Sequence, residues 1–258
     1  MGNLKNIQIK KRYKIKHFIG ETSFCYLYTG LDLETSKFVN LSIYKASKIA
    51  RDDLGEDGNL RELEFLKLAI DGFPKLLSFG EFTDNLEKYR YIATEFISGE
   101  SVLDRMKRVG SLGEFDAINV SLKLSKIAHS LHSRDQAILL NGLSLDNIIF
   151  DMSGASEAIK LRNLINVRYF DEAFRFEYID GLNLSHLAPE VFSNVFTPKT
   201  DLYNIGALTY QMVCGVLPYH DKESQDLKAP KDLNSYLEKR NKPLNFSEVF
   251  EPHLKKVL

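Results

Sequence analysis

An α+β fold in two lobes is what this sequence predicts: a small antiparallel β-lobe carrying one helix, then a larger and mostly helical lobe. Three observations lead there. Residues 9 to about 96 read as short strands with a single helix inserted, the character changes to amphipathic helix after Ser98-Gly99, and 258 residues at 44% hydrophobic content can bury either one large core or two. The predicted division is 9–97 for the first lobe and 98–258 for the second.

The first lobe opens with "IQIKKRYKIKHFIG", which alternates weakly, and "FCYLYTGL", which has aromatic and β-branched strand character. "FVNLSIY" alternates strictly. Val39, Leu41 and Ile43 share one face and Asn40, Ser42 and Tyr44 the other, so one side is core and the other looks into something polar. "GNLRELEFLKLAI" sets Leu60, Leu63 and Phe65-Leu66 at helical spacing, and Gly72-Phe73-Pro74 stops that helix. "KLLSFGEF" and "YRYIATEFI" are the last two strands. In the second lobe "SVLDRMKRVG" and the long "LGEFDAINVSLKLSKIAHSLHSR" are helices. "ILLNGLSLDNIIFD" reads as strand, polar loop, strand; "EAIKLRN" is a further short strand, and "DLYNIGALTYQMVCGV" is a helix apolar enough to be buried all round.

Composition narrows the function classes. With 34 basic and 35 acidic residues, the formal charge of −1 gives no bulk electrostatic reason for a nucleic acid or an anionic membrane as the main partner. Cys25 and Cys214 stand far apart with no second ligand at metal-binding spacing, so neither a disulfide framework nor a zinc site is indicated, and a reducing, cytoplasmic setting is expected. No apolar run reaches the roughly 18 residues of a membrane span. Met1-Gly2 invites a myristoylation reading, but Asn6 stands where Ser or Thr is needed.

Beyond this outline, the residues become specific. Ile19-Gly20, "LDLETSKFV", "RELEFLKL", "YIATEF", "LHSRDQAILLNGLSLDNIIF", "LAPEVF" and "DLYNIGALTYQMVCGVLPY" follow one another in an order and spacing that resemble the Ser/Thr protein kinase family from about residue 12 onward. Ala188-Pro189-Glu190, followed by Asp201, Tyr203 and Gly206, is the most particular stretch. The resemblance implies the family's two-lobed fold, truncated at the C-terminus, because the chain stops in what resembles an interior helix of the larger lobe and the arginine that would pair with Glu190 is missing.

The same resemblance makes the departures chemical, since phosphoryl transfer depends on positioning and charge neutralisation. Of the Gly-rich loop only Gly20 survives; Thr22, Cys25 and Leu27 take later positions. Aligning V-A-I-K on Val39, Asn40, Leu41 and Ser42 puts Ser42 where the phosphate lysine belongs, and Lys45, three residues on, points to the opposite face. Glu62 matches the helix glutamate that pairs with that lysine, and without its partner a solvated residue is as good a reading as any role. In the catalytic loop Leu140 takes the His position, Asn141 the Arg, Gly142 the catalytic Asp and Ser144 the Lys; Asn147 alone is retained. Ser133-Arg134-Asp135 is a false match, with its aspartate twelve residues before Asn147 instead of five. Asp146 is read as a turn residue. D-F-G becomes Asn163-Leu164-Ile165, and the neutral amides Asn147 and Asn163 are a poor cage for a hard dication. Losing the base alone costs roughly 10²–10⁴ in rate.

Architecture-bearing positions keep their character. Leu66, Phe79, Leu140 and Leu164 align with the family's interlobe apolar column, and Asp201 with the residue that holds the catalytic-loop backbone. The aromatic run of Tyr169, Phe170, Phe174, Phe176 and Tyr178 is expected to pack on the helical lobe, with a docking surface as the sharper alternative. The expectation is therefore a pseudokinase, a regulatory or scaffolding signalling module that works through a protein partner or an attached domain, has no metal or cofactor, and binds ATP weakly or not at all. Two alternatives stay open. One is an atypical kinase using Glu62, Asp146, Asp151 and Asn147. The other is a nucleotide sensor whose vestigial cleft is lined by Gly20, Leu27, Asn40, Thr94, Glu95, Ile97 and Ile149, with Thr94 as gatekeeper.

Overall fold

Strand alternation builds the first of two units. The structure, a computed structural model, describes residues 4, 7–21, 25–154, 157–175, 184–219 and 237–238. Strands β1 (Gln8–Ile9), β2 (Tyr13–Glu21), β3 (Cys25–Asp32), β4 (Lys37–Lys45), β5 (Leu76–Asp84) and β6 (Glu87–Glu95) form one antiparallel sheet in the order β1-β2-β3-β4-β6-β5. Val39, Leu41 and Ile43 are no more than 1% exposed and pack with Ile15, Tyr28 and Tyr91, so the strict alternation of β4 does face a core. Arg12 clamps Asp32 with two hydrogen bonds of 2.9 and 3.1 Å across the base of β2 and β3. Helix α1 (Arg61–Lys67) buries Glu62, Leu63, Phe65 and Leu66.

This unit is not one continuous stretch of chain. It comprises the residues up to Gly99 together with Ile149–Ile165, so it differs from the expected contiguous division at 97/98 by taking in a later segment. Backbone hydrogen bonds are the reason: Met152 N–H donates to the Ser98 carbonyl at 2.9 Å and Leu161 N–H to the Gly72 carbonyl at 2.8 Å. That segment is the hairpin of β8 (Ile148–Asp151) with β9 (Ala158–Leu161). Gly99 is required where the two stretches meet, because a Cβ there would sit 1.7 Å from the Phe150 carbonyl oxygen.

The second unit comprises Glu100–Ile148 and the chain from Asn166 onward. Helix α2 (Val102–Val109) is capped by the Ser101 hydroxyl, which accepts from Asp104 N–H at 3.0 Å. Helix α3 (Glu114–His132) buries Ala117, Val120, Leu124, Ile127, Ala128 and Leu131 on one stripe. β7 (Ile138–Leu139) pairs with β10 (Arg168–Tyr169), and α4 (Pro198–Cys214) starts at a Thr197 cap with proline in its first turn.

Two expectations fail here. Helix α4 is not buried all round: Leu202 is 52% exposed and Gly206 is also on the surface, while the polar Asp201 and Asn204 are inside. Of the four residues aligned with the apolar column, Leu66, Leu140 and Leu164 are buried but Phe79 is 44% exposed. It lies on β5, the last strand of the sheet, where no further strand covers it; its ring has the Lys67 ammonium 5.3 Å from its centre. Among the described residues no helix is long and apolar enough to cross a membrane.

Asp201, at 1% exposure, accepts hydrogen bonds from the backbone N–H groups of Leu140 (2.8 Å) and Asn141 (2.9 Å) and lies 2.9 Å from His132 Nε2. Asp201→Ala strands two buried donors and is expected to destabilise the protein by about 3–5 kcal/mol, measured by urea unfolding. A loss under about 1 kcal/mol would contradict this account of the loop.

Candidate functional site

The polar face of β4 and the buried face of α1 meet at Glu62. Its carboxylate is 7% exposed, accepts from the backbone N–H of Leu164 at 2.9 Å and takes a short hydrogen bond from the Tyr44 hydroxyl. The reading of Glu62 as a solvated residue is therefore corrected: α1 turns it inward beside Leu63 and Leu66. Tyr44 is the residue that sequence reasoning passed over. It stands two positions after Ser42 on the same face of β4, and strand parity alone carried that signal. Cys25, the cross-strand partner of Tyr44, is buried beside it. Burial pushes the Glu62 carboxyl upward, against the opposing effects of the Tyr44 and Leu164 hydrogen bonds, and also pushes up the Tyr44 phenol and the Cys25 thiol.

Farther along β4, Asn40 is paired in register with Thr94, and its side-chain N–H donates to the Glu95 carbonyl at 3.3 Å. The Glu95 side chain is engaged too: it accepts from Lys75 N–H at 3.0 Å and forms a short ion pair with Lys160, whose ammonium is 3.5 Å from Asp151. Ser42 sits between Leu27 and Ile92 in register and is partly exposed. Thr94, Ile97 and Ile149 are buried, Leu27 and Gly20 are partly exposed, and Thr22 lies outside the described residues. Lys45, on the other face, pairs with Glu87 at 2.8 Å.

The remaining candidates belong to the second unit, except Asn163, which precedes Leu164 in the first. Leu140 and Asn141 hang from Asp201, and Leu143 N–H donates to Asn204 Oδ1 at 2.6 Å. Gly142 has φ +109°, a conformation that strains any L side chain, whereas Asn141 (φ +53°) and Asn163 (φ +67°) occupy the left-handed region that asparagine tolerates. Asn147 donates to the Ser144 hydroxyl at 3.0 Å, and Asp146 is exposed. In the aromatic run, Phe174 is buried edge-on against Phe196 at 5.1 Å and beside the Arg168 guanidinium at 4.8 Å, while Phe170 is 50% exposed; Phe176 and Tyr178 lie outside the described residues.

With this geometry in view, comparison with known sequences is decisive on family: the protein kinase domain pattern matches residues 13–258. The chain belongs to the protein kinase domain family. It is similar to myosin light chain kinase A of Dictyostelium discoideum, at 23% identity over 215 residues that span 83% of this chain and 70% of that protein. It is also similar to the serine/threonine-protein kinase SIK3 homolog of Danio rerio, at 23% identity over 226 residues that span 84% of this chain and only 18% of that one. The β-rich unit and the helical unit fit the family's two-lobed fold.

Within that kinase fold, Glu62 and Leu164 can be described chemically. A neutral phenol and a backbone amide satisfy a buried carboxyl in place of a cation. Because burial raises its pKa, the folded protein holds the Glu62 proton more tightly than the unfolded chain does. The stability from this linkage is full below the ordinary glutamate value of 4.5 and is lost as pH rises through the raised value. Glu62→Gln removes that dependence. The unfolding free energy of the wild type minus that of the variant, taken from denaturant titrations between about pH 4 and pH 8, is expected to fall as pH rises. A difference that grows with pH would contradict the raised carboxyl.

Proposed function

We propose that this kinase domain is catalytically silent and serves as a regulatory or scaffolding signalling module that acts through protein contacts. The observation that carries this reading is the replacement of the lysine–glutamate pair by Tyr44 and Glu62. In an active kinase that pair aims an ammonium at the nucleotide phosphates. Here Ser42 stands at the lysine position, and the Glu62 carboxyl is committed to a phenol and to Leu164 N–H.

The other positions agree with it. Asn163 offers an amide where the family holds magnesium with a carboxylate, and the retained Asn147 already engages Ser144. Restoring an aspartate at Gly142 would meet a φ of +109°. The carbonyl of Glu95, which the resemblance places at the hinge, is taken by Asn40. The residues present do not fit a magnesium nucleotide, and no phosphoryl-transfer step is derived through one. Lys160, the cation beside Glu95, is already held by Glu95 and Asp151 and so is a poor replacement for the missing lysine.

Incubation with radiolabelled ATP, magnesium and a generic protein substrate is expected to transfer no label above the protein-free blank, and melting with ATP is expected to show no magnesium-dependent shift. Ligand at about 100 times its dissociation constant would add about 2.7 kcal/mol, which such a melt resolves readily. Label transfer abolished by Asn147→Ala would overturn the reading. The Asn40 plug has its own test. Asn40→Ala frees the Glu95 carbonyl and is expected to tighten adenosine binding, without magnesium, by about tenfold, a gain of the size of one hydrogen bond, as measured by calorimetry.

A further inference from the structure

The overall charge of −1 conceals a local asymmetry. Six of the 34 basic residues and none of the 35 acidic ones fall within the first 17 positions, leaving 28 basic against 35 acidic residues in the rest of the chain. Residues 8–17 of this stretch form β1, its turn and the start of β2, with β1 the first strand in the sheet order. Arg12, in the middle, is neutralised by Asp32 and Glu34 at 2.9 and 3.1 Å. Lys10, Lys11, Lys14 and Lys16 form no ion pair among the described residues, and the two acids across β3 are already held by Arg12.

We propose that this edge is an electrostatic contact site for an anionic phospholipid surface. On β2, Tyr13 and Ile15 are buried while Lys14 and Lys16 lie on the other side; Lys11 is exposed in the turn, and the exposed Lys10 beside it lays its ammonium near Gly80 of β5. Lys14 and Lys16 are about 7 Å apart along the strand, inside a Debye length of about 8 Å at physiological salt, so their fields add. Lys14 and Lys16 share one face of β2, next to the edge strand β1 whose turn carries Lys10 and Lys11, so the four long side chains gather at one end of the sheet. Phe18, 50% exposed, and Ile19, 36% exposed, follow on the same strand and supply apolar contacts at headgroup depth. Lipid is favoured over nucleic acid because the unpaired cations are all lysines, compact hydrated charges suited to a diffuse anionic layer; the one arginine, with the planar fork that reads phosphates and stacks on bases, is occupied.

The test is cosedimentation of the full chain with vesicles of phosphatidylserine and phosphatidylcholine against vesicles of phosphatidylcholine alone. Binding is expected only to the anionic vesicles and is expected to vanish at about 0.5 M salt. The combined Lys10→Glu, Lys11→Glu, Lys14→Glu and Lys16→Glu variant is expected to partition at least about 100-fold more weakly, and the same four positions changed to Gln should give an intermediate loss if the reversed charges disturb folding. Lys126→Glu with Lys199→Glu, exposed lysines elsewhere, is expected to bind like the wild type. Equal binding to neutral vesicles, wild-type partition of the four-lysine variants, or duplex RNA displacing the protein from vesicles at lower concentration than it takes to bind them would each overturn the proposal. Aggregation of those variants with unchanged partition would show instead that the lysines only keep the sheet edge from pairing.

Discussion

A carboxyl group removed from water must find hydrogen bonds or lose its charge, and the first unit is organised around one that does this without a cation. Glu62 reaches from α1 to the Tyr44 hydroxyl on β4 and to the Leu164 amide beyond β9. One side chain thereby ties a helix, a central strand and the segment that returns to the sheet. The arrangement has a chemical cost: a carboxyl held by a phenol orients no ammonium, so the side of β4 that carries Asn40, Ser42 and Tyr44 presents neutral groups throughout.

The second unit repeats the device with different residues. Asp201 and Asn204, on adjacent turns of α4, are buried and hold the backbone of Leu140, Asn141 and Leu143. Asn204 also donates to the carbonyls of Leu143 and His186. Buried polar groups in both units thus serve the main chain, whose unpaired amides would each be costly. A loop hung in this way is held chiefly through its main chain.

Much of this was legible in advance where periodicity is local. The alternation of β4 and the stripe of α3 each place their buried faces from neighbouring residues alone. Legibility failed where exposure depends on what lies across from a residue. Phe79 has the apolar character of a column residue yet stands on an edge strand, and α4 reads as apolar on every side although Leu202 meets solvent. The salt link of Lys160 to Glu95 joins residues 65 positions apart, and no spacing rule reaches that far.

The sequence by itself determined the family and the order of the elements, because motif order is written in the chain. Only the tertiary structure decided what individual side chains do. Glu62 read as a helix residue without a partner, and it became the buried anchor of its unit because folding brought Tyr44 and Leu164 to it and excluded water. Asn40 read as one lining residue of a vestigial cleft, and it became a donor to the Glu95 carbonyl because the register of β4 against β6 sets the two side by side. Hydrogen bonding and desolvation are properties of neighbours in space, and in this chain those neighbours come from distant positions.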